Sequence, residues 1–486
     1  MSGFARTVIR NSAAGFLAQF AMRALSFAFN VFVIRRLGAG EFGQYMAIGA
    51  FGDLFLFVAD LGLAPYAVRE FARYRDLPDG LERARRLFGS LLWLRIGLGV
   101  LAGVSTVVAG ILTQRPTEVI LALTINGLFL WIYGIQATSE VTLSGFERID
   151  LAAGAKVLNQ LIFVVAGGAA LFLGAGYFGL IGANLLGGIA MALVVWRGVR
   201  RLGMRPTRPD WHAWPQLIRS ALPFGIVTFA LGLSYRFDTV LLSILQGDEA
   251  TGHYRAAYNL IFTLVIFSNV INTALYPSLT RQAATNPERL AGITTRILRY
   301  LLALALPMAA GGFLLARPLV DTLYSAEQYG DSVRALEVLI WTLPFMYASE
   351  LLGYVVLITN REKLVARAVV VSTTLNVVLN LLLVPRYGLI AASLMTVMTE
   401  AVLVAQHLWN LRPLTQAIDW VQAFVRPLLA TVVMGVAINL VGAWLPWWSL
   451  IGVGAVVYAI AGYALGVFRL DDLRVFQRNH GKVAEA

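Results

Sequence analysis

The chain has 486 residues, of which 58% are hydrophobic and 14% charged, with a formal net charge of +12. A soluble domain carries roughly 25% charged residues, so this composition excludes an ordinary soluble protein and indicates a polytopic membrane protein. The absence of cysteine excludes disulfides, thiol catalysis and thiolate metal sites, and the four histidines (His212, His253, His407, His480) show no metal-ligand spacing.

A membrane span needs about 20 apolar residues. In chain order the apolar stretches centre near 12–34, 42–65, 88–112, 118–140, 154–174, 177–196, 217–245, 253–276, 299–320, 334–358, 365–384, 388–409, 424–444 and 447–468, which predicts fourteen spans. The first is too long for a signal-peptide core and reads as a retained span. Very short turns, near 174–177 and 384–388, join two of the pairs.

The basic residues orient this map. With the N-terminus in the cytoplasm, the inside segments hold 28 of the 39 Lys and Arg residues. The outside turns hold only Arg35, Arg36, Arg115, Arg317, Arg334 and Arg386. Cytoplasmic loops collect Lys and Arg, so both termini are expected inside. The net positive charge therefore reflects topology, and no nucleic-acid partner is expected. The main inside loops are 69–86 and 197–215, with Trp211 and Trp214 as interfacial anchors and anionic membrane lipids as their partners. The largest outside loop, Arg317 to Val333, is too short for a domain.

An internal repeat divides the chain. "NVFVIRRLGAGEFGQYMAIGAF" (30–51) and "DTVLLSILQGDEATGHYRAAYNL" (238–260) align with one inserted residue, placing Leu37 on Leu245, Gly43 on Gly252, Tyr45 on Tyr254 and Ala47 on Ala256. Each stretch opens a block of six spans. The fold class expected is all-α and integral to the membrane. It has about fourteen transmembrane helices, in two pseudo-symmetric six-helix lobes (1–215 and 216–415) and an appended pair with a cytoplasmic tail (416–486). Lobes with even span numbers share one orientation, an arrangement suited to alternating access.

Ionisable residues inside a membrane usually face the bundle interior or a wet cavity. In the first span Gln19, Arg23, Ser26 and Asn30 share one helical face. In the second, Asp53 and Asp60 lie seven apart on one face. In the seventh, Arg236 shares a stripe with Thr228, Gly232, Thr239 and Ser243, while Asp238 lies on another face with Ser234. Arg255, Tyr258 and Asn259 cluster near the outer end of the eighth. This set has arginine prominent, and a cationic excess suits an anionic headgroup, since Arg holds phosphate bidentately. The candidate substrate-binding residues are Arg23, Asn30, Arg236, Arg255, Tyr258 and Asn259. Asp53, Asp60, Asp238, Glu350 and Glu400 are candidates for charge balance or ion coupling. The structural alternative pairs Arg23 with Asp53 or Asp60, and Arg255 with Asp238. It gives Glu350 and Glu400 helix–helix hydrogen bonds. Arg95 and Arg219 are expected to snorkel to the cytoplasmic face. No catalytic residue, metal site or cofactor is indicated.

Several stretches carry a family resemblance: "RRLGAGEFGQY" (35–45), "DLGLAPYAVREFAR" (60–73), "LSGFERID" (143–150), "GDEATGHYRAAYNL" (247–260), "LYSAEQYGDSVRALEVL" (323–339) and "VPRYGLIAAS" (384–393). In order and placement the chain resembles the MOP superfamily, with its MATE-like fold, and within it the Wzx-type polysaccharide (O-antigen) repeat-unit flippases. The resemblance implies a two-lobed fold with a cleft lined by spans 1, 2, 7 and 8. It also implies a transporter, not an enzyme, of the bacterial cytoplasmic (inner) membrane that moves an undecaprenyl-pyrophosphate-linked glycan from the inner to the outer leaflet. Its implied partners are this lipid-linked oligosaccharide, H+ or Na+ as coupling ion, and other polysaccharide assembly proteins. The alternatives are a MATE-like drug or metabolite exporter, a membrane polysaccharide polymerase or ligase, and a non-transporting scaffold. An exporter of cations would favour an acidic cleft, and a polymerase needs a larger outside loop.

Overall fold

The computed structural model describes residues 3–285 and 289–468, with side chains for all of these except 3–21, 277, 278 and 284. The side chain of Gln19 and the basic tail beyond 468 lie outside the described residues. In chain order the helices are α1 (Gly3–Asp60), α2 (Leu63–Arg75), α3 (Gly80–Leu112), α4 (Thr117–Gly145), α5 (Ile149–Phe172), α6 (Gly176–Arg201), α7 (Trp214–Leu245), α8 (Gly247–Thr285), α9 (Leu290–Leu314), α10 (Ala316–Leu323), α11 (Ala326–Tyr329), α12 (Ser332–Leu339), α13 (Thr342–Ile358), α14 (Glu362–Asn410), α15 (Arg412–Thr415), α16 (Arg426–Val441) and α17 (Trp447–Ala464). A π-helical turn, Val421–Val425, leads into α16.

Among the described residues, twelve helical stretches are long and apolar enough to cross a membrane. Two of them are each a pair of spans. α1 is broken at Gly38 (φ 73°, ψ 172°) and α14 at Gly388 (φ 55°, ψ −136°). Divided there, the helices give the fourteen segments read from the sequence. The joint between α7 and α8 turns on Gly247 (φ 87°), and that between α5 and α6 on Gly174 and Gly176 (φ 78° and 53°). Spans 1/2 and 7/8, and spans 5/6 and 11/12, are thus joined by the same device. Left-handed and mirror-image backbone is open to glycine at little steric cost, which lets a membrane chain reverse direction in a single residue.

The sequence reading leaves α2 inside a polar loop. Leu63, Ala67 and Phe71 recur every four residues and are fully buried. That periodicity makes a short amphipathic helix. At its end Arg75 donates to Asp76 at 3.0 Å, holding that carboxyl below its ordinary pKa, and also pairs with Glu147 at 2.6 Å. The stretch after α9 is likewise ordered, as α10 and α11. It buries Tyr324 and Tyr329, whose rings lie 5.7 Å apart.

Packing divides the chain into two compact units. The first holds 28–255 and 369–392, and the second the described residues of 1–27, 256–368 and 393–486. This grouping follows contacts, whereas a division at 215 and 415 follows the repeat, so α7 packs within the first unit. There α3 and α4 approach through small residues. A Cβ on Gly103 would lie 2.8 Å from the Gly127 carbonyl, and one on Gly134 2.8 Å from that of Arg95. Lipid supplies no hydrophobic drive between helices, so close backbone approach with dense dispersion contact takes its place. In the second unit α16 and α17 pack on one another and on α9 through Leu315, Ala430, Met434, Ile438, Leu450 and Tyr458.

Candidate functional site: an ionic pocket in the first unit

Three charge clusters lie in the first unit, two of them within its membrane-spanning helices and one at helix ends. The deepest is Arg95 with Asp60. Arg95 has no exposure, and its Nη2 donates to Asp60 Oδ1. This corrects the expectation that Arg95 snorkels. α3 begins at Gly80, a full two turns before the span read from hydropathy. The Arg95 guanidinium is turned into the helix bundle and held by Asp60 instead of reaching along the helix to the interface. It also corrects the partner expected for Asp60. Arg23, which belongs to the second unit, is exposed.

The second cluster holds Arg236 and Asp238, two residues apart in α7. They do not pair with each other. Arg236 Nε lies 2.8 Å from Asp53 Oδ2. Asp238 is buried, accepting from the Thr239 backbone N–H at 2.6 Å, from the Thr239 hydroxyl at 3.2 Å, and from the hydroxyl of Tyr254. Residues i and i+2 point to different sides of a helix, so each finds its own neighbour. Arg255, 7% exposed, is within electrostatic range of both Asp53 and Asp238. Asn30, half-buried, lies in the same unit. Arg95, Arg236 and Arg255 thus stand with Asp60, Asp53 and Asp238, three cations with three carboxylates.

The Asp53–Arg236 pair opens on a cavity of about 200 Å³, lined also by Tyr45, Gly49, Gly52, Asn126, Asn184 and the apolar Leu56, Phe129 and Ile181. The second segment of α1, α4, α6 and α7 build it. Gly52 gives room for Asn126, whose Oδ1 would overlap a Cβ there and accepts no hydrogen bond among the described residues. The pair's side chains are 41% and 32% exposed. A pair that reaches an open cavity holds its helices less firmly than a fully enclosed one such as Arg95–Asp60, whose breaking costs about 3–5 kcal/mol. Of the two ion pairs, Asp53–Arg236 is therefore the one that can exchange partners. Asn126, Asn184 and Tyr45 were missed at the sequence level. A single polar residue in an apolar span carries no periodic signal.

A third cluster holds the start of α8. Arg115, from the turn before α4, lies 3.1 Å from Asp248 and donates to Ser243. Asp248 sits in the first turn of α8, where a carboxylate is favoured by the helix dipole.

The remaining expected residues lie in the second unit. Tyr258 is buried with its ring 4.7 Å from that of Phe262. Asn259 donates to the Tyr324 hydroxyl at 3.3 Å. Glu350 accepts from Ser268 at 2.6 Å and Asn269 at 2.8 Å, and Glu400 from Ser349 at 3.0 Å. Both glutamates thus tie helices together.

The comparisons agree on a family. Residues 8–282 match the family model described as "Polysaccharide biosynthesis protein", and 223–382 match the MatE model. The chain is 21% identical over 410 residues to a "Probable low-salt glycan biosynthesis flippase Agl15" of Haloferax volcanii, covering 82% of each. It is 23% identical over 410 residues to a "Probable flippase AglR" of the same organism, covering 80% of each. Among solved structures it resembles the lipid II flippase MurJ in an inward closed conformation, with TM-score 0.74 and 15% identity, over 92% of this chain and 97% of that one. It also resembles an inward-facing multidrug resistance MATE family transporter of the MOP superfamily, with TM-score 0.67 and 16% identity, over 82% and 95%. The fold is that of MurJ and the MATE transporters.

Proposed function

We propose a function from one premise: the chain belongs to the polysaccharide biosynthesis protein family. It acts as a flippase for a lipid-linked glycan. The substrate is an oligosaccharide on undecaprenyl pyrophosphate, moved from the cytoplasmic to the outer leaflet of a bacterial inner membrane by alternating access. Both termini are cytoplasmic, and the functional lobes are the repeats 1–215 and 216–415, with 416–486 appended. Transport, not catalysis, is the activity. The curated relatives named as flippases support the substrate class.

The observation that carries the reading within this chain is the open Asp53–Arg236 pair in a polar intramembrane cavity. A fixed guanidinium can exchange its carboxylate for a phosphate with little loss, because both accept its planar fork. Asp53 then takes the role of placeholder between cycles. Arg23, Asn30, Arg255, Tyr258 and Asn259 supply further substrate contacts. Asp60, Asp238, Glu350 and Glu400 balance charge or couple H+ or Na+.

The test is a deletion strain assayed for the leaflet in which the lipid-linked glycan resides. Accumulation in the inner leaflet, reversed by the wild-type gene, is the expected result. Normal outer-leaflet display with shortened chains would point instead to a polymerase. The match over 223–382 favours one second reading, a MATE-like drug or metabolite exporter. Drug sensitivity of the same strain with intact surface glycan would replace the flippase by that reading.

A further inference from the structure

A second cavity, of about 200 Å³, lies wholly in the second unit at the foot of α9. One wall is a single face of that helix, Gly292, Thr295, Arg296 and Arg299. The other is Asp419 and Gln422 at the turn into α16. Nothing in the transport reading uses it. Arg299 is 3% exposed and lies with its guanidinium 4.9 Å from the Tyr300 ring, donating to the Gln422 amide oxygen at 3.4 Å. The carboxylate in the wall is already engaged: Asp419 Oδ1 accepts the backbone N–H of Gln422 at 3.0 Å, as a helix cap. Two arginines on one helix face thus share the space with an acid held by the backbone. Among the described residues nothing lies within 4 Å of where a Cβ on Gly292 would stand.

The residues next in sequence to this wall point to the occupant. Trp420, Val421 and Phe424, beside Asp419 and Gln422, are 39%, 55% and 40% exposed at the first turn of a membrane span. Nearby, Trp409 is 62% exposed with Arg412 stacked 3.3 Å over its ring. Tryptophan at a span end marks the headgroup level of a bilayer. A cavity holding two arginines, with exposed apolar residues next in sequence at that level, fits a phosphate with acyl chains attached, and basic pockets between spans bind anionic headgroups.

The geometry points to a binding site for the phosphate headgroup of an anionic lipid, with Arg296 and Arg299 as its ligands, Gln422 as a further donor and the chains lying along Val421 and Phe424. The site is separate from the Asp53–Arg236 pocket and does not depend on what the protein transports.

The probe is dioleoyl phosphatidic acid, titrated onto the purified chain in detergent and read by native mass spectrometry, with dioleoyl phosphatidylcholine and inorganic phosphate as parallel arms. Phosphatidic acid is expected to bind more tightly than phosphatidylcholine. R296Q/R299Q is expected to weaken it about thirty-fold, the size for two interfacial arginines. Arg296 is only half-buried, so R296Q alone, eluting as wild type, gives a folded variant with the same direction of change. Unchanged phosphatidic acid binding in folded R296Q overturns the proposal. Inorganic phosphate binding as tightly as phosphatidic acid overturns the lipid assignment.

Discussion

Gly43 and Gly252 pack backbone against backbone, and neither has room for a side chain. A Cβ on Gly43 would overlap the carbonyl of Asp248, and one on Gly252 the carbonyl of Ala39. The offset that aligns Gly43 with Gly252 also aligns Ala39 with Asp248. The two contacts are therefore exchanged by the repeat, as in a self-complementary two-fold contact. Gly43→Ala is expected to destabilise by about 1–3 kcal/mol, the range for overpacking, and Gly252→Ala likewise. Gly97→Ala, in open space on α3, serves as control and is expected to be neutral or stabilising. Thermal unfolding in detergent, followed by tryptophan fluorescence, measures all three. A Gly43→Ala melt equal to wild type would sink the account.

Arg95 and Asp60 form the pair with most at stake for folding. Arg95→Leu leaves Asp60 buried beside apolar groups, and the expected loss is about 3–5 kcal/mol. Arg95→Leu with Asp60→Leu removes both charges and should recover most of it. The yield of monodisperse protein and its melting midpoint report both. If the double variant is no better than the single, the pair is not the cause.

Arg236 and Asp53 should behave in the opposite way. Their pair lines an open cavity, so Arg236→Gln and Asp53→Asn are expected to insert and to melt closer to wild type than Arg95→Leu. Glycan display, scored in complemented deletion cells, separates the roles. Arg236→Gln should abolish it. The double variant, Asp53→Asn with Arg236→Gln, should not restore it, because the guanidinium is required for substrate and not for Asp53. Restoration by the double variant would make the pair structural.

Gly38 holds φ 73°, ψ 172° and Gly388 φ 55°, ψ −136°. Both lie in regions that side chains scarcely enter, at about 1–3 kcal/mol per residue. Gly38→Ala and Gly388→Ala should each lower stability by that much. Gly40→Ala, two residues on in open space, should not. Equal melting of Gly38→Ala and Gly40→Ala would remove strain as the reason for glycine at the joint.

Composition and hydropathy by themselves determined the membrane class and the apolar segments, because apolar length is a local property of the chain. They also picked out Asp53, Asp60, Arg236 and Asp238, since charge in an apolar run is conspicuous. Only tertiary structure decided the pairing. Arg95 meets Asp60 because packing turns that face of α3 toward the end of α1, and Arg236 meets Asp53 because α7 packs beside the second segment of α1. Asn126 and Asn184 become part of a site only when α4 and α6 bring them to Asp53. Which charge meets which depends on helix starts and rotations set by packing over the whole unit, and no local window of sequence holds that information.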